Sequence, residues 1–185
     1  MPCRKGNQMP PTLEPGAAGR FDGVNGPRVV GPADGQRVDL GSLGVRFLVR
    51  NEESGGGYAL VEHPIPPHTL AAPLHRHTNE DEYSYVLEGR FGGLLGDDVV
   101  FAGPGDLVFK PRNQWHTFWN AGDAPCRILE IISPGGFEGL FAEIGANPEA
   151  MTGETAATMD ARYGLEVDYG SIDRLCEEHG LRFPV

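Results

Sequence analysis

The sequence has no long hydrophobic run, no cluster of basic residues and no regular set of cysteines. No stretch approaches the roughly 18 consecutive apolar residues that a membrane-spanning helix needs, and residues 1–30 contain no apolar segment typical of a secretion signal. The formal net charge is −11 with no run of Lys or Arg, so the basic surface that binds phosphate backbones is missing. We therefore expect a cytoplasmic protein that binds neither membrane nor nucleic acid.

Cysteine is scarce, and Cys3, Cys126 and Cys176 are odd in number and widely spaced. This arrangement fits neither a disulfide framework nor a CxxC metal site, so we expect reduced thiols. A chain of 185 residues is long enough for one hydrophobic core and short for two.

Glycine and proline are abundant, with 27 and 16 residues, which favours tight turns between short strands over long helices. Residues 1–35 are rich in both and poor in large apolar side chains, so we interpret them as an N-terminal arm that buries too little surface to order fully. Residues 36–134 are predicted to form a β-barrel. Residues 135–185 are predicted to form a helical extension that packs on the barrel or on a partner.

The barrel prediction depends on short apolar runs separated by turn residues. Residues 43–49 alternate between apolar and polar, the period of two typical of a half-buried strand. Further strands are predicted at residues 58–62, 83–87, 91–95, 99–102, 107–110, 115–119 and 126–132. This spacing is typical of a mainly β fold, an antiparallel sandwich or barrel.

Helical periodicity begins after residue 136. A first helix is predicted to end at Gly145, and Asn147-Pro148 to start a second that runs toward Tyr163-Gly164. A third is predicted from residue 172 to 179, with Ser171 as its N-cap and Gly180 closing it.

His75 and His77 are the first residues that point to chemistry. On an extended strand they face the same side about 7 Å apart, so both can reach one ion. Glu82 follows four residues later, and Gly105, Pro111, Asn113, His116 and Asn120 form a second spaced set.

Together these stretches resemble the two motifs of the cupin family, G-x5-H-x-H-x3,4-E-x6-G and G-x5-P-x-G-x2-H-x3-N. The sequence has T-x5-H-x-H-x4-E-x6-G from Thr69 to Gly89 and G-x5-P-x-N-x2-H-x3-N from Gly105 to Asn120. Thr69 and Asn113 replace glycines, and Asn tolerates the positive φ that a turn can require. The resemblance implies a jelly-roll barrel with His75, His77, Glu82 and His116 as metal ligands.

Three imidazoles and a carboxylate suit one divalent transition metal ion such as Fe, Mn, Ni, Cu or Zn, rather than Mg or Ca. The ligand set resembles that of quercetin dioxygenase-like cupins, which implies a metal-dependent dioxygenase with Glu82 as ligand and general base. Two alternatives stay open, a non-catalytic small-molecule-binding cupin and a metal-dependent isomerase or lyase. The inward positions are mostly apolar or small, which favours an uncharged or aromatic, enolisable substrate.

Strand alternation also assigns the flanking side chains to faces. Ser84, Val86 and Phe118 should point inward and are candidates for the substrate pocket, with barrel packing as the alternative. The outward aromatic residues, Tyr83, Tyr85, Trp115 and Trp119, are too many to leave in water. We expect the C-terminal helices or a second subunit to cover them, and we predict a homodimer. His63, His68 and His179 lack metal-ligand spacing and are interpreted as structural or solvated.

Overall fold

The structure, a computed structural model, describes residues 27–147 and 153–184. The strands in these residues are β1 (Arg37–Asp39), β2 (Gly44–Val49), β3 (Ala59–Ile65), β4 (Leu74–His77), β5 (Asp81–Glu88), β6 (Phe91–Leu95), β7 (Asp98–Ala102), β8 (Leu107–Lys110), β9 (His116–Asn120), β10 (Cys126–Ser133) and β11 (Leu165–Asp168). The helices are α1 (Glu138–Ala146), α2 (Gly153–Arg162) and α3 (Ser171–His179), and Asn51–Glu53 form one 3-10 turn. Most of the predicted arm, and Cys3 within it, lies outside the described residues.

The strands form two antiparallel sheets that face each other. One sheet has the order β1-β2-β3-β10-β5-β8 and the other β11-β4-β9-β6-β7. Neighbours in each sheet are often distant in the chain, as in a jelly roll. The predicted mainly β, cupin-type jelly roll with a short helical segment is confirmed.

Alternation along the strands separates the interior from the surface. In β10, Cys126, Ile128, Glu130 and Ile132 are buried, whereas the residues between them are exposed or half-buried. Val86 and Phe118 lie in the same core cluster as Ile128. Glu130 is therefore an acidic residue on the buried face of β10, whose other residues on that face are apolar.

At two positions of the motifs, backbone geometry restricts which residue type can be accommodated. Gly89 has φ 80°, and a Cβ there would lie 2.5 Å from the carbonyl oxygen of Pro125. Asn113 has φ 64°, the left-handed conformation that Asn tolerates better than most side chains. The replacement of a motif glycine by Asn113 is thus compatible with the turn.

The C-terminal helices cover the barrel on two sides. Phe137 and Leu140, at the start of α1, pack in a cluster with Val45 and Phe47 on β2 of the six-stranded sheet. On the other sheet, Trp119 is buried against α3.

The C-terminal segment differs from the prediction in two respects. Residues 165–168 form a strand, β11, which pairs with β4. Its four residues carry too short an alternating pattern to be recognised without that partner. Gly170 rather than Ser171 is the N-cap of α3, and Ser171 instead accepts a hydrogen bond from the Leu74 amide at 2.9 Å. The predicted second-helix start includes Pro148, which lies outside the described residues.

No helix in the described ranges is long and apolar enough to cross a membrane.

Candidate metal centre

The two sheets bring His75, His77, Glu82 and His116 together. His75 and His77 lie two residues apart on β4, so both are on its buried face. His75 is the direct cross-strand partner of His116 on β9. Glu82 approaches from β5 of the facing sheet. All four side chains are buried, and one potential ligand atom from each lies within 4.8 Å of the others.

Hydrogen bonds fix the orientation of each imidazole. The Nδ1 of His75 lies 2.7 Å from the carbonyl oxygen of Pro73, and that of His116 lies 3.0 Å from the carbonyl of Gln114. His77 Nδ1 lies 2.6 Å from Glu80 Oε1. Because these oxygens accept, each Nδ1 carries the proton and donates it, which leaves Nε2 as a lone-pair donor for a metal.

Two buried nitrogens of the cluster, His77 Nε2 and His116 Nε2, lack a hydrogen-bond partner among the described residues. Both face Glu82 Oε2, which also lies 2.9 Å from Lys110 Nζ. Glu82 Oε2 lies 3.5 Å from His77 Nε2 and 3.3 Å from His116 Nε2. Buried polar groups without partners are costly. Two such nitrogens, facing a buried carboxylate oxygen from the other sheet, form an arrangement that can hold a divalent transition metal ion.

The electrostatics of the cluster keep two of the three imidazoles neutral, whereas His77 holds a proton that a bound metal ion would have to displace. Burial, followed by the neighbouring imidazoles, holds the pKa of His75 well below its usual value, and burial also lowers the pKa of His116. Both rings are therefore neutral, as metal ligands must be. Burial would lower the pKa of His77 as well, but Glu82 and Glu80 outweigh it and raise the pKa to about 9.

Comparison with known proteins agrees with this arrangement. The cupin domain family matches residues 62–132. An uncharacterized protein of Methanocaldococcus jannaschii is 30% identical over 89 residues, which cover 48% of this chain and 70% of that protein. The chain belongs to the cupin superfamily. The predicted family is thereby confirmed.

Two further similarities concern parts of the cupin. It is 31% identical over 109 residues to the quercetin 2,3-dioxygenase of Aspergillus japonicus, which covers 55% of this chain but only 31% of that enzyme. An RmlC-like cupin from Shewanella frigidimarina NCIMB 400 has a TM-score of 0.49 and 20% identity, covering 56% of this chain and 87% of that one.

A buried ion-pair network adjoins the candidate ligands of this cupin. Lys110 Nζ lies 2.9 Å from Glu82 Oε2 and 3.0 Å from Glu130 Oε2. Ser84 donates a hydrogen bond of 2.7 Å to the same oxygen of Glu130. Burial would lower the pKa of Lys110, but Glu130 and Glu82 outweigh it and raise the pKa. Burial raises the pKa of Glu130 to about 7, although Lys110 opposes that shift.

Sequence reasoning missed Lys110, Glu130 and Glu80. The signal for the first two was alternation: Lys110 follows the buried Val108 at a spacing of two, and Glu130 follows Ile128 likewise. A charged residue at a position that strand alternation assigns to the buried face is expected only near a strand end or in a functional site. Glu80 had no periodic signal, only its place between two candidate ligands.

A cavity of about 490 Å³ lies beside the candidate ligands. Of the three predicted pocket residues, Phe118 borders it, together with His75, Glu82 and Glu130. Ser84 and Val86 do not border it. The hydroxyl of Ser84 is held by Glu130, and the Val86 side chain is fully buried in the core.

The outer wall of the cavity comes from the C-terminal segment, which the sequence did not associate with the site. Most of the residues that supply it are apolar: Phe137, Leu140, Phe141, Ile144, Leu165, Val167, Tyr169, Ile172 and Phe183, with Asp160 as the acidic member. No Lys or Arg is among the described residues that line the cavity. Of the three remaining histidines, His63 is buried and borders the cavity, His68 pairs with Asp123 at the surface, and His179 stacks on Trp119.

Proposed function

We propose that this cupin is a metal-dependent dioxygenase that acts on a small, uncharged or aromatic, enolisable substrate. The observation that carries the proposal is the convergence of three buried imidazoles and the Glu82 carboxylate beside a largely apolar cavity, with nitrogens on His77 and His116 that have no partner in the described part of the chain. The partial similarity to a quercetin dioxygenase supports the same reaction class.

His75, His77, Glu82 and His116 would hold one divalent transition metal ion. When bound, the ion would supply Lewis acidity and the redox chemistry of oxygen activation. The chain's own contribution is the fixed orientation of the three imidazoles and a largely apolar cavity wall beside them.

An enolisable substrate must also lose a proton, and of the carboxylates that border the cavity, Glu82 and Glu130 are the two in the ion-pair network of Lys110. Burial would raise the pKa of Glu82, but Lys110 and His77 hold it well below its usual range. Glu82 is thus a strong candidate ligand and a weak base. Glu130, with its pKa near 7, is better matched to accept a proton at neutral pH. We retain Glu82 as the proposed base at the ligand position and add Glu130 as the competing acceptor.

The charge of the interior supports a neutral substrate. Lys110 is the basic group nearest the candidate ligands, and its ammonium contacts two carboxylates, Glu82 and Glu130. A cation neutralised in this way does not recruit a phosphate. An isomerase of phosphorylated sugars is therefore disfavoured relative to an enzyme for apolar substrates.

Oxygen uptake tests the proposal directly. Protein loaded separately with Fe, Mn, Ni, Cu and Zn is assayed with a panel of flavonols and enolisable diketones, with His116→Ala as the control. We expect one metal to support oxygen consumption that the control lacks. Substrate conversion without oxygen consumption would instead identify an isomerase or lyase, and binding without conversion a non-catalytic cupin.

We also propose a homodimer formed through the outer face of the six-stranded sheet. Of the predicted outward aromatics, Trp119 is covered by the chain's own α3, and Trp115 lies half-buried below the Arg76 guanidinium, 5.2 Å from its ring. Tyr85, Leu107 and Phe109 remain 39%, 57% and 48% exposed on β5 and β8. Adjacent exposed apolar side chains of this kind are typical of protein interfaces.

A further inference from the structure

Asp160 on α2 is a buried carboxylate with an unused oxygen. The residue as a whole is only 5% exposed. Oδ2 accepts a hydrogen bond of 2.8 Å from the Tyr169 hydroxyl. Oδ1 is buried and accepts no hydrogen bond from any residue in the described ranges. An unsatisfied buried acceptor costs about 1–3 kcal/mol, so Asp160 is placed for a partner that the described part of the chain does not supply.

Two buried carboxylates away from the candidate centre use both oxygens, whereas Glu130, in the ion-pair network beside the centre, has an Oε1 that accepts no hydrogen bond from a described residue. Glu138 accepts from the Asn51 amide at 2.7 Å through Oε1 and from the Gly136 amide at 2.7 Å through Oε2. Glu62 pairs with Arg46 and with Arg127 through its two oxygens. Asp160 differs from both, because one oxygen stays free and its residue borders the cavity.

The surroundings of Asp160 define the ligand group that would fit. Tyr169 borders the same cavity, and the neighbouring wall is formed by the apolar side chains of Leu165, Val167 and Ile172. Burial raises the pKa of Asp160 against the effect of the Tyr169 hydrogen bond. A neutral hydroxyl can donate to Oδ1 without the desolvation penalty of a buried ammonium.

We propose that Asp160 and Tyr169 form a polar subsite, on the C-terminal wall of the cavity, for a hydroxyl group of an otherwise apolar or aromatic ligand. This proposal rests on the proposed function in one respect: the ligand would occupy the cavity beside the candidate metal ligands. The ligand class is thereby narrowed to hydroxylated apolar molecules whose hydroxyl group lies at α2. A volume near 490 Å³ is in the range of sites that enclose drug-sized molecules.

A matched pair of probes tests the subsite without turnover. Binding of 4-phenylphenol and of biphenyl is measured by calorimetry on metal-free protein. We expect the wild type to bind the phenol about tenfold more tightly, as one additional hydrogen bond to a charged or polar acceptor allows. Asp160→Leu, which replaces the carboxylate with a larger apolar side chain and so removes the acceptor, should bind the two probes equally.

One control variant makes the result specific. Asp173→Leu makes the same substitution at an exposed position of α3 and should keep the tenfold preference. Retention of the preference in Asp160→Leu would place the hydroxyl elsewhere in the cavity and overturn the proposal. Equal binding of the two probes to the wild type, or no binding, would overturn it too.

If Asp160→Leu does not fold, a crystal structure of the wild type with 4-phenylphenol decides the matter. A phenol oxygen within hydrogen-bond distance of Asp160 supports the subsite, and any other position refutes it. The result is independent of oxygen uptake, because the probes carry no enolisable group and no metal is present. The proposed dioxygenase can thus fail while the subsite stands, or the reverse.

Discussion

Lys110 Nζ lies 2.9 Å from Glu82 Oε2, the same oxygen that faces His77 and His116. A buried ammonium thus contacts the carboxylate that would bind the metal. Lys110 also lies 4.6 Å from the centre of the Phe118 ring, so the interior of the barrel is charged as well as apolar. The stability of this arrangement, and its effect on the candidate centre, can be measured.

Replacing Lys110 by Met should destabilise the protein. The variant leaves Glu130 buried without its counter-ion, and breaking a buried pair costs about 3–5 kcal/mol. The double variant Lys110→Met/Glu130→Gln should recover part of that loss, because Glu130 no longer carries a charge, whereas Glu82 still lacks its contact with Lys110. Urea unfolding gives the free energies. Arg174→Met, which breaks the exposed pair with Glu178, should cost less than about 1 kcal/mol. An unchanged free energy of unfolding in Lys110→Met would contradict the structural role of the network.

Metal binding should depend on the candidate ligands and on their orienting partners. His116→Ala should lose most of its bound metal, measured by elemental analysis after equilibrium dialysis. Glu80→Gln should weaken affinity by about 10- to 100-fold, since Glu80 orients His77 through its Nδ1. His68→Asn, at an exposed histidine paired with Asp123, should bind like the wild type. Equal affinity in all three variants would refute the proposed centre.

Glu82 and Glu130, the two carboxylates that contact Lys110, should differ in their effects on catalysis. Glu82→Gln keeps an oxygen at the centre but removes a charge, so we expect substantial metal retention and loss of most turnover if Glu82 is ligand and base together. Glu130→Gln should leave metal content unchanged and lose turnover only if Glu130 accepts the proton. Metal content and oxygen uptake are measured on the same preparations. Near-normal metal content and near-normal turnover in Glu82→Gln would show that Glu82 is not the base.

His63 should make the metal-free protein sensitive to acid. Its ring is buried with Nδ1 2.9 Å from the Gly44 carbonyl oxygen, and burial lowers its pKa from 6.5 to about 4. Between these values the unfolded chain binds a proton that the folded protein excludes. Its contribution to stability is therefore complete above pH 6.5 and is lost as the pH falls toward 4, by on the order of 3 kcal/mol.

Replacement of His63 by Gln isolates this effect, because Gln does not titrate and can still donate to the Gly44 carbonyl. Urea unfolding of both proteins is compared across the acid range. The variant should lose less stability than the wild type as the pH falls. Parallel pH profiles would mean that His63 is not the group responsible, since the other buried histidines are common to both proteins.

The proposed homodimer should depend on the outer face of the six-stranded sheet. Light scattering of the wild type at micromolar concentration should give twice the mass of the chain. Phe109→Lys should yield a monomer, because it places a charge among Tyr83, Tyr85 and Leu107. Phe101→Lys, at a residue 55% exposed on the other sheet, should remain dimeric. A monomeric wild type would exclude the dimer.

Much of the architecture and of the candidate centre could be predicted from local patterns. Strands such as β6 and β8 were predicted at the residues where they occur, because burial of one face imposes a period of two on the sequence. The spacing of His75 and His77 on one strand places both rings on one side by geometry alone. Asn113 was interpreted as a substitute for a turn glycine, and its positive φ agrees with that interpretation.

The remaining features depend on which distant strands pair, and no local pattern carries that information. Lys110 meets Glu82 because β8 pairs with β5, and Glu130 lies opposite Ser84 because β10 pairs with the other edge of β5. Burial of two opposite charges is favourable only when both are brought together, so neither residue reveals the network by itself.

The cavity follows the same logic. Residues 165–168 become a strand only because β4 offers a free edge, and that pairing places Val167 beside His75. Asp160 reaches the cavity only because α2 packs close to this strand. The sequence by itself determined the barrel and the spacing of its candidate ligands, since both depend on short-range periodicity. The tertiary structure alone decided the buried ion pairs and the cavity wall, because these depend on contacts between residues far apart in the chain.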